Sequence, residues 1–172
     1  MTLCSILRQA FLATAILSLL LVCPMLSAKE HRSIYLIRHA EKQHDGTHDP
    51  SLTEKGVLRA KNICKQLKNR NITTIYSTNY KRTVETALPL SKSLAIDLTL
   101  YDPNQLETFA TQVLLGEGNV LIVGHSNTTP ELVALLGGNS QGPMADSVYH
   151  QIFHLVVKGN KTDTIILSSS VD

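Results

Sequence analysis

The stretch Ser33-Ile34-Tyr35-Leu36-Ile37-Arg38-His39-Ala40-Glu41 joins a short apolar run to a polar and charged end. The apolar part is rich in residues that favour β-structure and does not alternate with polar residues, which is typical of a strand buried on both faces. The change of character at Arg38 predicts that the strand ends there. We therefore expect a buried parallel strand that delivers Arg38 and His39 to its carboxyl end.

Strands and helices alternate along the rest of the chain. Apolar residues recur at intervals of three and four after Thr53, a suitable N-cap, and predict a helix to about Asn69. A second helix is expected over 81–94, bent or broken at Pro89. Pro103 is expected in the first turn of a third helix that ends at Leu115, and a fourth helix is expected to open at Thr129-Pro130. Further strands are predicted at 74–77, 97–101, 120–123, 148–157 and 164–167.

This order predicts an α/β fold. Strands that alternate with helices form a mainly parallel sheet with helices on both faces, that is, a three-layer α/β/α sandwich. The last two strands flank Lys158-Gly159-Asn160, a turn sequence, and are expected to form an antiparallel C-terminal hairpin.

The first 28 residues differ in composition from the rest. Arg8 is their one charged residue, an apolar run follows from Phe11 to Val22, and Ser27-Ala28 supplies small residues. This order predicts a signal peptide over 1–28, cleaved near Ala28, and hence a periplasmic or secreted protein. The apolar run is shorter than the ~20 residues that span a bilayer, so no stable membrane span is expected after cleavage. A lipid anchor on Cys23 is an open alternative.

Composition excludes some functions for the remaining domain, residues 29–172. The whole chain has 43% hydrophobic and 17% charged residues, which is typical of a globular protein. Its 16 Lys+Arg and 14 Asp+Glu give a net charge of +2, and one of the basic residues, Arg8, lies outside this domain. That charge lacks the basic excess of a nucleic-acid-binding protein. Cys64 is the one cysteine of this domain, so the domain has no internal disulfide.

The candidate chemistry lies at the strand ends. Ligands of open α/β sheets bind beyond the carboxyl ends of the strands, where His39 and His125 both follow a predicted strand. Arg38 and Arg82 are expected at the same edge. Two guanidinium groups directed at one point repel each other unless an anion lies between them, and their donors suit phosphate oxygens. A neutral imidazole can attack phosphorus, so the pattern predicts a phosphoryl site with a histidine nucleophile.

Three motifs within about 33–138 resemble the histidine phosphatase superfamily, in the branch that contains phosphoglycerate mutases and small bacterial phosphohistidine phosphatases. They are Arg38-His39-Ala40-Glu41, then Ser77 with Arg82-Thr83 and Thr86-Ala87, and finally Gly124-His125-Ser126. The resemblance implies that His39 becomes a transient phosphohistidine while Arg38, Arg82 and His125 bind the phosphoryl group, without a metal or other cofactor. Ala40 replaces the Gly that is commonest in the family and adds only a methyl group.

The group that protonates the leaving oxygen is less clear from the sequence. In this superfamily a carboxyl group after the third strand usually serves, and Asp102, at the predicted strand end, is the better placed candidate. Glu107 is the alternative candidate. Some family members that cleave good leaving groups work without a strong acid.

The resemblance implies a phosphatase that acts on a phosphorylated small molecule or a phosphoprotein, with a phosphomonoester or a phosphohistidine as substrate. The predicted signal peptide makes it an exported phosphatase. The 42 residues between Arg82 and His125 leave no room for the cap that mutases use to exclude water. Three alternatives stay open: a phosphoglycerate mutase-like phosphotransferase, a phospho-ligand-binding module without turnover, and a metal-binding protein that uses His44 and His48. The sequence indicates no oligomeric state.

Overall fold

The computed structural model describes residues 31–170. The predicted signal peptide and Cys23 lie outside these residues, so export and lipid anchoring stay predictions. No helix within 31–170 has the length and apolar character needed to cross a membrane.

Six strands and four helices make up the described part of the chain. In chain order they are β1 (Arg32–Arg38), α1 (Glu54–Leu67), β2 (Ile72–Ser77), α2 (Lys81–Leu94), β3 (Leu98–Leu100), α3 (Leu106–Leu115), β4 (Asn119–Gly124), α4 (Thr128–Leu135), β5 (Gln151–Lys158) and β6 (Lys161–Ser168).

The strands form one sheet in the order β3-β2-β4-β1-β5-β6. The first four of these are parallel, while β5 pairs antiparallel with β1, and β6 pairs antiparallel with β5. The predicted α/β fold with a mainly parallel sheet and an antiparallel C-terminal hairpin is therefore confirmed.

Both faces of the sheet are covered, and β1 shows how. Ile34 and Leu36 point into a core shared with α3 and α4, whereas Tyr35 and Ile37 point into a second core shared with α1 and α2. Each of these four residues is at most 2% exposed. Burial on both faces explains why the β1 sequence is continuously apolar rather than alternating.

Helix α3, helix α2 and strand β5 depart from the sequence predictions in ways that have a physical reason. Helix α3 begins at Leu106 rather than Pro103, because the Asp102 carboxylate accepts the backbone N–H of Asn104 at 2.9 Å and holds a turn there. Helix α2 continues through Pro89 to Leu94 without a break, because its buried face packs into the core on both sides of the proline. Strand β5 begins at Gln151 rather than residue 148, since the preceding carbonyls bind the Arg38 guanidinium.

Helix α1 approaches the loop after β1 closely. The Thr53 hydroxyl accepts the backbone N–H of Gly56 at 3.1 Å and caps the helix as predicted. A β-carbon at Gly56 would overlap the carbonyl oxygen of Glu41. Glycine at this position therefore lets α1 support the segment that follows His39.

Candidate active site

The sheet topology brings the predicted site residues to one edge. Strands β1, β2 and β4 are parallel neighbours, so Arg38-His39, the segment from Thr78 to Arg82, and His125 all emerge from their carboxyl ends. Arg38, His39, Arg82 and His125 line one cavity of about 410 Å³. The rings of His39 and His125 meet edge to face, with 5.6 Å between their centroids.

His39 is held in a form that can act as a nucleophile. Its Nδ1 donates a hydrogen bond to the carbonyl oxygen of Ala40 at 2.8 Å, so the proton of the neutral ring lies on Nδ1 and the lone pair on Nε2. Burial, together with the charges of Arg38 and Arg82, lowers the pKa of His39 to about 3 and outweighs the opposing effect of the Ala40 hydrogen bond. The ring is therefore neutral at physiological pH.

The Arg38 guanidinium is buried and fixed by the segment before β5. Its Nη1 donates to the carbonyl oxygens of Ala145, Asp146 and Val148 at 2.8 to 3.2 Å. The guanidinium carbon lies 4.3 Å from the centre of the Tyr149 ring, and Nη2 lies 3.6 Å from the Asp146 carboxylate. Its buried Nε has no partner within the described residues.

The Arg82 guanidinium, from the first turn of α2, is positioned by three neighbours. It stacks over Tyr80 at 4.3 Å, its Nη1 lies 3.8 Å from the Asp49 carboxylate, and its Nη2 donates to His125 Nδ1 at 3.5 Å. Like Arg38, it keeps a buried Nε that no group in 31–170 satisfies. Arg38 and Arg82 line the same cavity, and two guanidinium groups so placed indicate an anion site because they repel each other unless an anion lies between them.

His125 is neutral for the same reason as His39. Burial, then Arg82 and Arg38, lowers its pKa to about 4. Its Nε2 lies 2.9 Å from the Thr78 hydroxyl, and its backbone N–H donates to the Thr128 hydroxyl at 3.0 Å. The first contact holds the His125 ring, and the second holds its backbone.

The segment that carries the nucleophile is braced from two sides. The backbone N–H of Ala40 donates to the Thr86 hydroxyl of α2 at 3.0 Å. Arg59 of α1 binds both oxygens of Glu41, at 2.9 and 2.6 Å, and also donates to the carbonyl oxygen of Ser169 beyond β6. Burial alone would raise the pKa of Glu41, but the hydrogen bonds and charge of Arg59 lower it. Glu41 is therefore a structural anion.

The candidate proton donors are not brought into this cavity. The Asp102 carboxylate lines a separate pocket and is engaged by the backbone and side-chain amides of Asn104, at 2.9 and 3.0 Å. Glu107 lines a different neighbouring pocket. Asp146 supplies the one carboxylate among the residues that line the cavity, and its side chain is 97% exposed.

Several residues of the site were not predicted from the sequence. Lys42 and Tyr80 line the cavity, and Asp49 both caps α2 through the N–H of Lys81 and faces Arg82. The loop that carries Asp49 could be expected from the sequence to approach the site, because it follows the nucleophile directly, but the contact with Arg82 could not. Asp146 carries no such signal, because it lies in an irregular segment far along the chain.

The alternative metal site has no support in the described residues. His44 and His48 are exposed in the loop after β1, and no group of three or more His, Cys, Asp or Glu side chains within 31–170 is placed to hold a metal ion. Cys64 is half-buried, and its thiol contacts the Pro89 carbonyl oxygen at 3.4 Å.

Fold and site together define an α/β protein with a cavity lined by two histidines and two arginines at the carboxyl edge of its sheet. Residues 34–103 match the family model of the histidine phosphatase superfamily (branch 1). The match covers less than half of the chain and agrees with the superfamily resemblance that the three motifs predicted.

One curated relative and two solved structures illustrate the similarity. Phosphoserine phosphatase 1 of Hydrogenobacter thermophilus is 32% identical over 75 residues, which are 40% of this chain. The chain thus matches only about a third, 36%, of that relative's length.

The solved structures share the fold over a greater length. The protein histidine phosphatase SixA, complexed with tungstate, has a TM-score of 0.64 at 17% identity and covers 80% of this chain and 97% of its own. Phosphoserine phosphatase from Entamoeba histolytica, with 3-phosphoglyceric acid, has a TM-score of 0.57 at 15% identity and covers 80% and 95% respectively. At these identities the structures show the fold alone.

Proposed function

We propose that the protein is an exported phosphatase that hydrolyses a phosphomonoester or a phosphohistidine through a covalent phosphohistidine on His39. One observation carries this proposal: Arg38, Arg82 and His39 line one cavity, and the hydrogen bond from His39 Nδ1 to the Ala40 carbonyl oxygen leaves the lone pair on Nε2 free. A phosphoryl group offers the oxygens that both guanidinium groups need. Export through residues 1–28 is part of the proposal.

The geometry supports a two-step reaction. The lone pair of His39 Nε2 attacks phosphorus, the bond from phosphorus to the leaving group breaks, and the leaving atom takes the electron pair and a proton. Water then attacks phosphorus and loses a proton, and the bond between nitrogen and phosphorus breaks, which restores the lone pair. Arg38 and Arg82 bind the non-bridging oxygens in both steps, where charge spreads in a loose transition state.

The comparisons support a hydrolase. Both the curated relative and the similar structures above are named as phosphatases. The segment between Arg82 and His125 consists of the rest of α2, then β3, α3, β4 and short connections, so no inserted cap covers the cavity from that side. Water can reach a phosphohistidine in such a site, which favours a phosphatase over a mutase-like phosphotransferase.

Hydrolysis of an aryl phosphate by the protein, with a metal chelator present, tests the proposal. We expect steady turnover that tungstate inhibits competitively, because tungstate and the phosphoryl group of the substrate need the same anion pocket. Phosphoserine and a phosphohistidine peptide should be assayed in parallel to define the substrate class. Binding of tungstate without hydrolysis of any of these compounds would favour the phospho-ligand-binding alternative.

The role of the carboxyl groups can be separated by comparing Asp102→Asn with Asp146→Asn. Because Asp146 lines the cavity and Asp102 does not, we expect Asp146→Asn to slow poor leaving groups by about 100-fold and good ones much less. Asp102→Asn should leave the dependence on leaving-group pKa unchanged. Hydrolysis rates for a series of aryl and alkyl phosphates measure the dependence on the leaving group. A loss of rate in Asp102→Asn that is larger for poor leaving groups would identify Asp102 as the acid.

A further inference from the structure

A chain of buried hydroxyl groups lies behind His125. The Thr78 hydroxyl is 2.9 Å from His125 Nε2 and 2.9 Å from the Thr83 hydroxyl. The Thr83 hydroxyl is in turn 2.9 Å from the carbonyl oxygens of Thr78 and Tyr80. Thr78 and Thr83 are both fully buried, so no solvent competes for these contacts.

The direction of every hydrogen bond in this chain follows from its ends. A carbonyl oxygen only accepts, so Thr83 donates its one proton to a carbonyl and must accept from Thr78. Thr78 has then used its own proton and must accept from His125 Nε2. At the other side of the ring, the Arg82 guanidinium only donates, so His125 Nδ1 accepts from it at 3.5 Å. The contact with Thr78 and the contact with Arg82 therefore both require the proton of the neutral His125 ring on Nε2.

We propose that Thr78 and Thr83 fix His125 as the tautomer with the proton on Nε2, and that its Nδ1 takes up a proton when a phosphoryl group enters the cavity. This inference rests on the proposed function. The two histidines of the site are then opposite tautomers: His39 carries its proton on Nδ1 and His125 on Nε2.

The charges around His125 explain why uptake follows binding. In the free protein burial and two guanidinium groups keep the ring neutral, and a lone pair rather than an N–H faces Arg82. That lone pair would repel phosphoryl oxygens. A bound dianion offsets the guanidinium charge and favours the imidazolium, whose new Nδ1–H can donate to the anion. The charged or titratable groups around this ring or its cavity are Arg82, Arg38, His39, Tyr80, Lys42 and Asp146.

The tautomers can be read in the free protein from long-range ¹H–¹⁵N spectra of the histidine rings. We expect His125 protonated on Nε2 in the wild type and in Thr78→Ser, and a shift towards a mixture of tautomers in Thr78→Val. The His39 signal, with its proton on Nδ1, is the internal reference and should not change. An exposed threonine of α3 supplies the matched control, Thr111→Val. A His125 spectrum that is the same in Thr78→Val and in the wild type would overturn the inference.

Proton uptake is measured by titrating the protein with tungstate at pH 7 in buffers of different ionisation enthalpy. We expect close to one proton taken up per tungstate bound by the wild type and by Thr78→Ser. Thr78→Val should bind tungstate about tenfold or more weakly, since a hydrogen bond to the charged ring is lost. Binding without proton uptake by the wild type would refute this inference and leave the phosphatase proposal intact. Failure of the wild type both to bind tungstate and to hydrolyse phosphates would refute the proposed function and, with it, the uptake step.

Discussion

Replacing His39 with alanine should lower turnover by at least about 10⁴-fold, because the covalent path loses its nucleophile while the anion pocket remains. Reactions with a ³²P-labelled substrate, quenched with alkaline detergent, should leave label on the wild-type protein and none on His39→Ala. The label should be acid-labile and alkali-stable, as a phosphorus–nitrogen bond requires. Initial rates and the label on the denatured protein measure the effect.

The matched control is His48→Ala, which removes an exposed loop histidine that does not line the cavity. Its rate and its label should equal those of the wild type. Equal turnover in His39→Ala and the wild type would eliminate the covalent mechanism, and label that persists in His39→Ala would place the nucleophile elsewhere. Thermal unfolding of each variant shows that the fold is retained.

Replacing Arg82 with alanine should lower kcat/KM by about 10³-fold, since it removes a preorganised donor from the charge that develops on the phosphoryl oxygens. Arg82→Lys should recover only part of this loss, because an ammonium group keeps the charge but not the planar set of donors. Tungstate affinity should fall more in Arg82→Ala than in Arg82→Lys. Steady-state kinetics and tungstate inhibition constants provide the measurement.

An exposed arginine before β2 provides the control, Arg70→Ala, which should leave kcat/KM within a factor of about two. If Arg82→Ala retained wild-type kcat/KM, the unsatisfied Nε would have no part in phosphoryl binding. An equally large loss in Arg70→Ala would point instead to a general effect of charge on substrate attraction.

The fold could be predicted because its signals are local. The apolar run that ends at Arg38 predicts β1, and the capping residue Thr53 marks the start of α1. The bounds of α2 follow from its apolar spacing, although Pro89 had suggested an interruption. Since parallel strands share one carboxyl edge, the same local signals place His39 beside His125 without any knowledge of distances.

The rest of the site depends on contacts between distant parts of the chain. Arg38 is held by backbone carbonyl groups more than 100 residues away. Every residue has such a carbonyl group, so the residue types in the sequence do not show which ones will bind Arg38. Asp102 sits where the motif order suggested, yet its side chain prefers the nearby amides of Asn104, and this competition is decided only in three dimensions. The contact of Thr78 with His125 has no sequence signal for the same reason, since these residues are 47 positions apart.

The contact between Arg59 and the Ser169 carbonyl joins residues 110 positions apart. The same guanidinium group holds Glu41, two residues after His39. Contacts of this separation form late, because the loop they close carries a high entropic cost. A chain that emerges from its amino end therefore carries the reactive histidine long before the brace behind that histidine can close. The support behind His39 is thus complete only when the chain as far as Ser169 is in place.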